Sequence, residues 1–112
     1  MAVEDLTIKK GATYKQNLVY KDNDDVIVDL TGVTARMQIR HTFKSDVIHT
    51  LTTENGGITI TGAIGEIDLL ILATVTDTFP AITGIYDLEL ILGTDVERAL
   101  EGNIFITENT TR

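Results

Sequence analysis

The chain has 112 residues, of which 43% are apolar and 23% charged, the proportions of one ordinary globular domain and not of a disordered segment. It contains no cysteine, which excludes a disulfide framework, a thiolate zinc site and a cysteine nucleophile. Seventeen acidic against nine basic residues leave a formal net charge of −8, and no basic run makes a local exception, so neither nucleic acid nor a membrane is an expected partner.

The first five residues lack a positive region followed by an apolar stretch, and the longest apolar run is Leu69–Ala73. Neither a secretory signal nor a membrane span is expected, and synthesis in a bacterial cytoplasm is. Leu6–Lys9 reads as a first short strand, stopped by Lys10-Gly11. Thr13–Tyr20 alternates with Tyr14, Leu18 and Tyr20 on one face, and the polar cluster Lys21–Asp25 turns it toward Val26–Val28, which predicts a hairpin over Thr13–Val28.

Leu30-Thr31-Gly32 is a turn that launches the strand Val33–Arg40. Val33, Ala35, Met37 and Ile39 point one way and Thr34, Arg36, Gln38 and Arg40 the other, which gives one buried and one wet face. A polar loop, His41–Asp46, leads to extended structure over Val47–Leu51. Asn55-Gly56-Gly57 is a strong turn signal, because Asn and Gly accept positive φ at little cost. Ile58–Thr61 and Glu66–Leu72 form a predicted hairpin across Gly62–Gly65.

Thr74–Phe79 is the one predicted helical turn, ended by Pro80. Gly84–Leu92 follows, with Tyr86, Leu88, Leu90 and Leu92 on one face and Asp87 and Glu89 on the other. Gly93-Thr94-Asp95 is a tight turn into Val96–Leu100, Gly102–Thr107 is the last strand, and residues 108–112 form a frayed tail. The expectation is a single domain over 1–112, all-β, an immunoglobulin-like antiparallel sandwich of about eight short strands with at most one helical turn. The paired cysteines and core Trp of antibody domains are absent, so only the architecture is implied.

Candidate sites are few. Asp22, Asp24 and Asp25 offer the only carboxylate group suggestive of a metal, but Val26 and Ile27 stand where a calcium loop needs a ligand and a Gly. His41 and His49 lack any zinc-ligand spacing. Glu66 with Asp68, and Asp87 with Glu89, lie two apart on one strand face, as solubilising residues do, and no acid, base and nucleophile assemble. No catalytic residue, no cofactor and no enzyme activity is expected. Asn109-Thr110-Thr111 matches a glycosylation sequon but carries no weight without a secretory signal. Tyr86 and Phe105 read as core. Phe43, inside a polar loop, reads either as an exposed contact or as a lid over the sandwich end. The edges Leu6–Lys9 and Ile104–Thr107 suggest pairing with a neighbouring subunit, which puts Lys9, Ile104 and Ile106 beside Phe43 as interface candidates, while Lys9 and Lys10 serve equally to discourage it.

Leu6–Thr13, Asp29–Arg40, Leu51–Ile60, Tyr86–Leu90 and Leu100-Glu101-Gly102, in that order, resemble small structural proteins of tailed bacteriophages and prophages. They also resemble the β-sandwich module at the N-terminus of phage baseplate upper proteins. The resemblance covers nearly the whole length. It implies a β-sandwich without catalytic residues, residing in the virion on the tail, baseplate or neck, with other virion proteins and a homo-oligomer as partners. Because the chain ends at Arg112 without a long helix, the expectation is a free-standing subunit. A capsid decoration protein is the nearest variant. A carbohydrate- or cell-wall-binding module is the reading of another class.

Overall fold

In the computed structural model, which describes residues 2–108, the alternating apolar residues of the chain meet between two stacked sheets. The expected tail and the sequon lie outside those residues, save Glu108. Among the described residues there are nine strands: β1 (Ala2–Val3), β2 (Leu6–Lys9), β3 (Tyr14–Val19), β4 (Thr34–Arg40), β5 (Val47–Thr52), β6 (Ile58–Thr61), β7 (Glu66–Ile71), β8 (Thr83–Leu92) and β9 (Asp95–Thr107). The predicted helical turn forms as α1 (Ala73–Thr76), and a second single turn, of 3-10 type, spans Gly62–Ile64.

Six strands form the larger sheet, in the order β1-β9-β8-β4-β5, with β2 continuing β1 along the same side of β9; β3-β7-β6 form the smaller sheet. The architecture is the expected sandwich, with one amendment. β1 and β2 run parallel to β9, while every other strand pair among the described residues is antiparallel.

The strand positions follow the alternation. In β4, Ala35, Met37 and Ile39 are buried, and in β8 so are Tyr86, Leu88 and Leu90. Leu92 continues the same face past the end of the core and is 56% exposed. The β6–β7 hairpin forms as predicted, as does the tight turn that brings Leu92 opposite Asp95.

Pairing departs from expectation at β3. This strand lies along β7, with Tyr14 opposite Ile71 and Val19 opposite Glu66, because β7 offers a six-residue partner that buries Tyr14 and half-buries Leu18. The turn after it does fold back. Val28 N–H donates to Tyr20 O and Asp22 N–H to Val26 O, but Val26 and Ile27 stay largely exposed.

The two predicted C-terminal strands are one. Leu88 faces Leu100 and Glu89 faces Arg98, so Ala99 is an extra residue, a β-bulge through which Ala99 and Leu100 both enter the core. Ile104 and Ile106 are almost wholly buried on this strand. Its backbone pairs with β8 on one side and β2 on the other there, so neither residue is an edge contact. Phe105, read as core, faces outward at 36% exposure because it falls between them.

Candidate functional site

The outer face of the larger sheet brings together residues far apart in the chain. Register sets its rows. Arg36 of β4 lies beside Glu89 of β8, which lies beside Arg98 of β9. The next row runs Gln38, Asp87, Glu101 and Val3, and the third Arg40, Ile85 and Asn103. Each of these residues takes the outward position of an alternating strand whose other residues fill the core.

The first two rows neutralise themselves. Arg36 donates to the Glu89 carboxylate from Nη2 at 2.5 Å and from Nε at 3.2 Å. Arg98 lies 3.5 Å from Asp87 and 3.7 Å from Glu101. These are solvent-exposed pairs, worth about 0–1 kcal/mol each, so they order the face more than they stabilise the fold.

Arg40 differs. Its Nη1 donates to the Ser45 carbonyl at 2.8 Å and its Nη2 to Gln38 Oε1 at 3.2 Å, which fixes the guanidinium across the β4–β5 loop. Among the described residues it forms no ion pair, the only one of the three described arginines in that state. Ser45 is itself held, its hydroxyl donating to Thr42 O and accepting from Thr42 N–H. That same loop carries Phe43, 87% exposed, and across the sheet Val3 is 74% exposed. Phe43, Val3, Arg40, Gln38, Ile85 and Asp87 all line one open groove of about 550 Å³. All three described arginines sit on this face against Asp87, Glu89 and Glu101, with Asp5 at its border. The face is thus close to neutral on a chain of net charge −8.

Of its two predicted readings, Phe43 is therefore not a lid over the sandwich end; its ring is exposed. Lys9 is exposed at the end of β2, and Ile104 and Ile106 lie under the sheet. Arg40, Val3 and Ile85 were not singled out by sequence reasoning. The available signal was Arg40 ending the polar face of β4 just before the loop aromatic.

The other candidate sites are occupied by structural roles. Asp22 Oδ1 accepts the N–H groups of Asp24 (2.9 Å) and Val26 (3.0 Å), so its carboxylate shapes its own turn. Asp25 adopts a φ of 64° and pairs with Lys21 at 3.5 Å. Among the described residues no cluster of three or more His, Cys, Asp or Glu is placed to hold a metal ion. His49 points inward with its ring centroid 5.5 Å from that of Phe79, and burial holds its pKa below the ordinary value, while His41 is exposed on the loop. Asp68 accepts from Asn17 Nδ2 on the outside of the smaller sheet.

No protein-family model and no curated protein matches the chain. Among solved structures it is similar to a VGSC beta subunit studied for its multimeric cell-adhesive interactions. The sequences are 11% identical over 96% of this chain and 92% of that one, with a TM-score of 0.51. At that identity the likeness shows the immunoglobulin-like fold alone. No helix among the described residues is long and apolar enough to cross a membrane.

Proposed function

We propose that this chain is a non-enzymatic structural protein of a tailed-bacteriophage virion, an immunoglobulin-like subunit that docks on other virion proteins and on its own copies through the outer face of the larger sheet. The observation that carries the docking surface is the corner at Arg40 and Phe43. A fixed guanidinium with no carboxylate partner among the described residues shares one groove with an aromatic ring 87% exposed and, across the sheet, an exposed valine. Arginine and aromatic anchors dominate the energetics of protein interfaces. A partner that gives a carboxylate to Arg40 and an apolar side chain to Phe43 and Val3 completes both. The virion assignment rests on the resemblance of the five segments to tailed-phage structural proteins.

Electrostatics supports the choice of face. A chain of net charge −8 repels its copies over most of its surface, whereas this face has its charges cancelled in rows. Approach here carries the least like-charge cost.

Immunogold labelling of purified tailed particles with antibodies to this chain tests the reading. Label on the particles is expected, at the tail, baseplate or neck; label over the capsid shell assigns the decoration role instead. Phe43→Asp and Arg40→Gln, each with an unchanged circular-dichroism spectrum, are expected to lower incorporation by about ten-fold or more, the loss that corresponds to about 1.4 kcal/mol at a central contact. Particles without the chain, or variants that incorporate as well as the parent, refute it.

A further inference from the structure

We propose that the free edge of β3, together with the cleft beside it, is an acceptor site for an extended, basic segment of a partner protein, which adds to the smaller sheet as a fourth strand. The site is separate from the outer face of the larger sheet and stands or falls independently of it.

Three observations carry the inference. First, the two sheets are unequal, six strands against three, and β3 pairs with β7 alone along its whole length. Its other side is a row of backbone donors and acceptors without a strand partner. Across the gap, the Asp95–Ala99 part of β9 pairs with β8 alone, because β1 begins opposite Leu100. On the opposite side of the sandwich the edge is guarded: Asn55 folds back on β5, accepting from Thr52 N–H and donating to Thr50 O, as a strand's amide would. The β3 edge is covered less: among the described residues one long side-chain contact touches it, Gln16 Nε2 to the Asn17 carbonyl at 3.5 Å, and Lys15 is its one charged residue.

Second, an open cleft of about 780 Å³ lies between β3 and the larger sheet, with Leu18, Tyr20 and Val28 half-buried along one wall and Leu88, Ala99 and Leu100 at its floor. Val19, 41% exposed, stands at its lip. A strand added beside β3 directs alternate side chains into this space and the others to solvent. Beside Glu4, which also lines the cleft, the Tyr14 hydroxyl is buried with no hydrogen-bond partner.

Third, the charge around the cleft selects the occupant. Glu4, Asp22 and Glu97 line it, and its one cation, Lys21, is engaged with Asp25. Glu97 accepts from Tyr20 Oη at 2.9 Å through Oε1, and among the described residues no donor reaches its second oxygen. An acidic strand is repelled here and a basic one attracted, so the fitting segment mixes β-branched apolar residues with Lys or Arg. Of this chain's own basic strands, β4 is already paired on both sides, with β5 and β8, and β2 carries a single lysine.

The test uses the full chain and a capped hexapeptide of alternating valine and lysine, followed by amide chemical shifts. Saturable shifts confined to Tyr14–Val19 and Asp95–Ala99 are expected. A glutamate-for-lysine peptide is expected to bind at least ten-fold more weakly. A peptide methylated on alternate backbone nitrogens, which keeps its side chains but cannot pair with an edge, is expected to lose binding. Shifts that fall elsewhere, equal binding of the methylated peptide, equal binding of the glutamate peptide, or no shift at millimolar peptide each overturn the proposal. The unmodified protein serves in every arm, so misfolding of a variant does not enter.

Discussion

Single side chains in this molecule show how burial sets chemistry. Tyr14 carries a hydroxyl that is buried without a partner, and burial, reinforced by the Glu4 charge, pushes its pKa up to about 12. Removing an unpaired buried hydroxyl strands nothing, so Tyr14→Phe should leave stability unchanged or raise it by about 1 kcal/mol in urea titrations. Thr76 is the opposite case. It is fully buried, its hydroxyl 2.8 Å from the Ala12 carbonyl and 3.1 Å from that of Ala73, so it ties α1 to the β2–β3 connection. Thr76→Val keeps the shape and orphans that carbonyl, at a cost of about 1–3 kcal/mol by the same assay. His49 is a pH probe. Burial lowers its folded pKa below the ordinary value of about 6.5, so the unfolded chain binds the proton more readily. The stability linked to His49 is therefore complete above about pH 6.5 and is lost as pH falls through the lower folded value. Comparing urea midpoints of the parent and His49→Gln between neutral and mildly acidic pH isolates this term; a parent no more acid-sensitive than the variant contradicts it. None of these environments was readable from the chain, because each depends on which residue a strand meets across the sandwich.

Strand existence was legible and strand pairing was not. Alternation in Thr34–Arg40 and Thr83–Leu92 marks inward and outward residues whatever the neighbours are, so β4 and β8 were evident. The partner of β3 lies fifty residues on, and no local signal distinguishes β7 from the nearer Val26–Val28. The bulge at Ala99 likewise joins what reads as two strands into one and places Ile104 and Ile106 inside. Phe43 could be singled out because an aromatic in a polar loop is unusual, but Arg40 became visible only once the ion pairs of Arg36 and Arg98 set it apart. The turn at Asn55 was plain in sequence; its role as a cover for β5 was not. Asn55 Oδ1 also accepts from Gly57 N–H. Asn55→Ala exposes Thr50 O and Thr52 N–H at an uncharged strand edge. A loss of about 1–3 kcal/mol is expected, with concentration-dependent association visible by light scattering. A variant as stable as the parent that associates no more than the parent does would show that the edge needs no cover.

As a whole, the molecule is a closed core with its distinctive chemistry on the outside. One face of the larger sheet is near neutral, gathers the described arginines and presents Phe43 and Val3, while the chain as a whole carries −8. That asymmetry suits the proposed virion subunit, which has to stay apart from its copies in solution and still find one docking orientation. High-resolution cryo-electron microscopy of the purified particle is the measurement closest to this claim. The expected map places the sandwich with the outer faces of β4, β8 and β9 against a neighbouring chain, a carboxylate at Arg40 and Phe43 covered. A sandwich bound through any other surface, with that face open to solvent, contradicts it.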